Sequence, residues 1–271
     1  MRRLLMTVIV FSLFLSGCTT TLLKSTDPIS ERKITVFDSW EIPETFVPKR
    51  IHVVGLGDSL TQGVGDELKV GGYFARITTA MADWKGVKDV QADNLAKRGR
   101  RSDQLIKQLE DPEIQEYIKN ADVIMFTIGG NDIMKVVKRH LFNLQEEVFY
   151  DELKDYEQRL DEVFGMIRGL NADAIIVAGG LYNPLSILTD EASEFEEMME
   201  DWNDVIEVRT VLDGKSCYVP VTDLFYSNEN MVYHTDFFHP NAKGYEQMAN
   251  RFIESIDKCG LLELSDGKLD L

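Results

Sequence analysis

The chain has 271 residues, 44% of them hydrophobic, and a formal net charge of −17 at pH 7. Its length and apolar content suffice for one full core, and its acidity argues against nucleic acid as a partner and against long-range attraction to anionic lipid. There are no internal repeats or low-complexity segments.

Met1-Arg2-Arg3 is a positively charged start, and residues 4–14 are an apolar run too short to span a bilayer as a helix. Leu15-Ser16-Gly17-Cys18 then resembles the lipobox of bacterial lipoproteins. That likeness implies a signal peptide at 1–17 and lipidation of Cys18, with an ordinary secretory signal as the alternative. Loss of Arg2 and Arg3 leaves the remainder more negative still. A covalent anchor therefore supplies the membrane contact that electrostatics withholds, at the outer face of the cell membrane, or in the periplasm or outer membrane of a Gram-negative envelope. Residues 18–50, with Pro28, Pro43 and Pro48 and little periodicity, read as a tether. Thirty flexible residues span about 30 Å r.m.s..

From residue 51 apolar runs alternate with helical patterns, the signature of βαβ units and an α/β class. Strands are predicted at 51–57, 89–94, 122–128, 174–179 and 216–221. Helices are predicted over 73–84, after Ser102 as N-cap, along the apolar stripe at 149–167, over the acid-rich 191–212, and over 241–256. Residues 134–144 read as an amphipathic helix rather than a lid. The folded domain is expected at 51–260, with a tail at 261–271. An exported compartment permits pairing of Cys217 and Cys259, but their places in a strand and at a helix end favour two separate thiols.

Chemistry concentrates at strand ends. Gly57-Asp58-Ser59-Leu60 closes the first strand and puts a hydroxyl at the tip of a turn, so Ser59 is the candidate nucleophile. A serine needs a base, a group that orients the base, and donors for the oxyanion. Of the four histidines, His52 lies inside a strand and reads as structural, while His140 and His234 have no supporting motif. His239, in Asp236-Phe237-Phe238-His239-Pro240, has a carboxylate three residues upstream that can orient its imidazole. Asn131, in Gly129-Gly130-Asn131-Asp132, offers a neutral amide donor, and Gly99, in Asn94-Leu95-Ala96-Lys97-Arg98-Gly99, a loop N–H. The basic run at 97–101 reads as ion-paired to nearby acids rather than as an anion site. Asp58 and Asp132 read as acceptors for loop N–H groups. A metal role for Asp58, Asp132 and Asp236 is set aside, because no cluster has ligand spacing.

In order and context these blocks resemble the SGNH hydrolases, or GDSL esterases and lipases, from about residue 51 to 257. The resemblance implies a three-layer α/β/α sandwich around five parallel strands in the flavodoxin-like order 2-1-3-4-5. It further implies catalytic Ser59, Asp236 and His239, an oxyanion hole of Ser59, Gly99 and Asn131, no cofactor and no metal. The expected activity is carboxylic ester hydrolysis of lipase or acylhydrolase type by a monomer acting on lipid or acylated glycan. A deacetylase of cell-wall or surface glycans is the first alternative. A non-catalytic ligand-binding lipoprotein is the second.

Overall fold

A computed structural model describes residues 47–140, 146–183, 192–226 and 231–265. The signal segment, Cys18 and most of the tether lie outside them. Five strands, β1 (Lys49–Gly57), β2 (Val87–Asn94), β3 (Val123–Thr127), β4 (Ile175–Gly179) and β5 (Ser216–Val219), form one sheet in the order β2-β1-β3-β4-β5. Every pairing is parallel, as the resemblance implied. The register sets Gly57 opposite Thr127 and Thr127 opposite Gly179, so three central strands end level at one edge.

Strand periodicity divides the core between two faces. Ile51, Val53, Val123, Met125, Ile175, Val177 and Cys217 pack with α2 (Gly72–Met81) and α8 (Ala242–Cys259). Val54, Leu56, Ile124, Phe126, Ile176 and Ala178 meet α3 (Ser102–Leu109), α4 (Pro112–Lys119), α5 (Gly130–Arg139), α6 (Glu146–Leu170) and α7 (Ala192–Asp213). Full burial of each large apolar side chain contributes about 1.5–3 kcal/mol, and covering both faces makes the all-parallel sheet viable.

Several local expectations are corrected. The ladder of β5 stops at Val219 rather than 221, because Pro220 has no N–H to donate. Ser102 opens α3 as its first residue instead of capping it, since its N–H and hydroxyl both turn to Asp132. Helix α4 was not foreseen, although Asp111 as N-cap with Pro112 behind it is a start signal. The amphipathic segment begins at Gly130 and buries Ile133, Val136 and Val137; residues 141–145 lie outside the described part. The folded unit exceeds 51–260 at both ends: β1 starts at Lys49, and Leu261 of α9 (Leu261–Leu264) is buried.

Cys217 and Cys259 form a disulfide, with their Cα atoms 5.9 Å apart, which corrects the expectation of separate thiols. The return of α8 across the sheet face brings its last residue against β5, an adjacency invisible in a separation of 42 residues.

Candidate active site

The turn after β1 is shaped by contacts with β3. Gly57 has φ +90, and a Cβ there would collide with the Thr127 carbonyl, which accepts the Asp58 N–H at 3.1 Å. Asp58 caps the single turn α1 (Ser59–Gln62), its Oδ1 accepting from the Leu60 N–H at 3.0 Å and the Thr127 hydroxyl at 2.8 Å. Burial pushes the Asp58 carboxyl up to about 7 against these two hydrogen bonds. Ser59 is thereby held on a rigid element at the level edge of the sheet, only 3% exposed.

From the far end of the domain, residues 231–241 fold back over this edge. Tyr233 bridges Pro240, and the His234 N–H donates to the His239 carbonyl at 2.8 Å. Within this loop Asp236 Oδ1 accepts the backbone N–H groups of Phe238 and His239 at 3.1 and 3.0 Å. Its Oδ2 lies 2.7 Å from His239 Nδ1, and His239 Nε2 lies 3.0 Å from Ser59 Oγ. With Nδ1–H donating to Asp236, Nε2 is free to accept the Ser59 hydroxyl proton. Phe237, between them, takes φ +52, a conformation costly for an aromatic residue and tolerated where a site demands it. Partial burial pushes Asp236 up, but hydrogen bonds from the His239 N–H and ring and the Phe238 N–H outweigh it and bring its carboxyl down to about 2.

Asn131 stands in the first turn of α5 and faces the same cleft as Ser59. Its Nδ2 donates one hydrogen to the Arg100 carbonyl at 3.1 Å, leaving the second for a ligand. Gly99, at φ +78, is the third residue of a turn closed by the Arg100 N–H onto the Lys97 carbonyl at 3.2 Å. That position requires positive φ, which explains glycine there. Gly99 is exposed and outside the cleft lining, joined to Asn131 through its neighbour Arg100. Loss of one oxyanion donor costs about 10²–10³ in kcat, so Asn131→Ala should lower kcat by that factor with little change in KM, measured by steady-state ester hydrolysis.

The remaining sequence candidates separate cleanly. His52 is structural: its ring lies 2.8 Å from Asp93 and 3.0 Å from the Asn120 carbonyl, far along β1 from Ser59. His140 follows α5 as its C-cap, and His234 sits 3.7 Å from Asp236. Asp132 is buried and serves Ser102, with Arg159 3.5 Å away. Ion pairing explains only part of the basic run. Arg101 meets Asp103 at 3.0 Å, while Arg100 is spent on uncharged acceptors, and Lys97 and Arg98 are exposed.

Beside Ser59 an apolar cleft is lined by Leu60, Ile133, Met134, Leu181, Phe195 and Met199, with Phe238 and Tyr182 at its border. Sequence reasoning missed most of this wall. Its residues come from the ends of β4, α5 and α7, and each looks in sequence like an ordinary core position. Tyr182 also hydrogen-bonds the Phe238 carbonyl at 2.7 Å and stacks on Phe225, bracing the loop that carries His239.

A Ser–His–Asp series at the carboxyl edge of a five-stranded parallel α/β/α sheet, with an amide donor alongside, defines the class of SGNH-type ester hydrolases. The profile of the GDSL-like Lipase/Acylhydrolase family matches residues 56–247. The protein YpmR of Bacillus subtilis (strain 168) is 37% identical over 220 residues, covering 80% of this chain and 86% of that protein. The spore germination lipase LipC of Bacillus licheniformis is 25% identical over 208 residues, covering 74% and 94%. In three dimensions the lipase Lip_vut3 from a goat rumen metagenome superposes with a TM-score of 0.68 at 24% identity, covering 79% of this chain and 99% of that one. This chain belongs to the GDSL-like lipase/acylhydrolase family and is an ester hydrolase.

Proposed function

We propose that the protein is a lipase-type serine acylhydrolase working through an acyl-enzyme on Ser59 at the outer face of the cell membrane. The observation that carries this reading is the apolar cleft opening beside the Ser59–His239–Asp236 series. Its lining is predominantly apolar, the character of a site for an acyl chain. Ser59 Oγ attacks the ester carbonyl as His239 Nε2 takes its proton. Asp236 stabilises the imidazolium, and the N–H groups of Ser59 and Gly99 with Asn131 Nδ2 hold the oxyanion. On collapse the C–O bond to the alcohol breaks and His239 returns its proton to the leaving oxygen. Water, deprotonated by the same imidazole, then attacks the acyl carbonyl and frees the acid and Ser59.

The proposed location is supported by the signal-like start with Cys18, and by the Cys217–Cys259 disulfide, a bond that persists in oxidising compartments. A chain-length panel of p-nitrophenyl esters, run beside acetylated glycans and with fluorophosphonate labelling, tests the activity. Medium- or long-chain esters should give the highest kcat/KM. Activity confined to acetyl groups would overturn the lipase reading, and an unlabelled wild-type protein the acyl-enzyme.

A further inference from the structure

We propose that Arg100 is a positioning residue of this site, holding at fixed spacing the three segments that carry Ser59, Gly99 and Asn131. The inference rests on the acyl-enzyme reading above and adds to it a residue outside the Ser–His–Asp series. The Arg100 guanidinium lies between two loops instead of in an ion pair. Its Nη1 group donates to the carbonyl of Gly57, two residues before Ser59, at 3.2 Å. It also donates to the carbonyl of Leu95, at the root of the Gly99 loop, at 3.0 Å, and to Gln108 Oε1 of α3 at 2.5 Å. Gln108 completes the clamp, its Nε2 donating to the same Leu95 carbonyl at 2.9 Å. The backbone of Arg100 reaches the third segment, since its carbonyl accepts the Asn131 side-chain amide at 3.1 Å. One residue thus touches every segment that contributes an oxyanion donor.

The chemistry explains why arginine serves here. The three acceptors converge on the single Nη1 amino group and share its two hydrogens, whose directions the planar guanidinium fixes, whereas an ammonium is a point charge on a flexible stem. No carboxylate reaches ion-pairing distance of Arg100 among the described residues, and its Nη1 hydrogens are committed to carbonyl and amide oxygens. Oxyanion donors act only when they lie about 2.7–3.1 Å from the developing charge, and tolerances of that size need rigid support. The Arg100 carbonyl also orients the Asn131 amide, occupying one hydrogen and leaving the other directed elsewhere.

Arg100→Met and Arg100→Lys test this with two readouts. One is p-nitrophenyl butyrate hydrolysis; the other is inhibition by butylboronic acid, which forms a tetrahedral adduct on a serine and mimics the transition state. Misplacement of donors by about 1 Å costs on the order of 10²-fold, so kcat should fall about 10–100-fold in both variants with KM within about threefold. The boronate Ki should rise by the same factor as kcat/KM falls, which a general loss of stability does not produce. Wild-type kcat and Ki in Arg100→Met would overturn the proposal. So would full activity in Arg100→Lys beside an impaired Arg100→Met, because charge and not spacing would then be the cause. If Arg100→Met does not fold by circular dichroism, Gln108→Leu carries the test, with a smaller coupled loss expected. A folded Gln108→Leu with unchanged kcat and Ki overturns the clamp. A wild-type protein that neither hydrolyses the ester nor binds the boronate defeats the acyl-enzyme reading instead.

Discussion

Ser59→Ala is expected to abolish fluorophosphonate labelling and to lower kcat for p-nitrophenyl esters by about 10⁵–10⁶-fold, the scale at which a nucleophile operating as one unit with its base is lost. Ser59 is 3% exposed and its hydroxyl meets His239 Nε2, so the substitution removes the attacking atom and leaves the turn intact. The turn itself is held by Asp58, Thr127 and the Gly57 backbone, none of which depends on the hydroxyl. The melting temperature should therefore move little. His239→Ala should lose a similar factor, and the double variant should be no worse than either single one, because base and nucleophile act in one step. Labelling that survives in Ser59→Ala, or losses that multiply in the double variant, would count against this assignment.

Asp236→Asn should lower kcat by about 10⁴-fold, with substrate binding nearly unchanged. An amide at this position keeps the size of the side chain but withdraws the charge that stabilises an imidazolium, and it offers donors where His239 Nδ1–H needs an acceptor. The wild-type carboxyl is held down to about 2, below its ordinary 3.8, so it remains ionised across the working range. Any fall in kcat/KM between about pH 8 and pH 4 therefore reports another group. For stability the sign is fixed by the same direction. The contribution of Asp236 is fully present above 3.8 and is lost as pH falls through about 2, so the acid unfolding curve of Asp236→Asn should be flatter there. Asp58 runs the other way: its carboxyl, raised to about 7, contributes stability that is complete below 3.8 and disappears as pH rises through about 7. Thermal melts of the wild type and Asp236→Asn from pH 2 to 8 check the Asp236 sign.

Much of the site was legible because its parts are local. The Gly57–Leu60 turn, the Gly129–Asp132 strand end and the Asp236/His239 pair each declare their geometry within five residues. Asp236 reaches His239 inside one turn of chain, a contact that its spacing permits and the structure shows. The central strands β1, β3 and β4 were equally plain, since a sheet covered on both faces needs continuous apolar segments there. Gly99 was legible as a loop glycine but not in its turn, and Ser102 was misread because a residue suited to capping was claimed by Asp132, thirty positions away.

What sequence by itself determined was the set of candidate residues at the strand ends and the repeating β-α pattern that holds them, because backbone preference and short-range hydrogen bonds are encoded locally. The tertiary structure alone decided the rest. It brought His239 to Ser59 across 180 positions, joined Cys217 to Cys259, assembled the cleft wall from Met134, Leu181, Phe195 and Met199, and aimed Arg100 at Gly57 and Leu95. Each of these is a meeting of segments whose distance in the chain says nothing of their distance in space. Parallel strand order and the packing of helices onto the sheet set that distance. So the Ser59 turn was visible from the outset, while the apolar cleft beside it and the Arg100 contacts exist only once the sheet has closed.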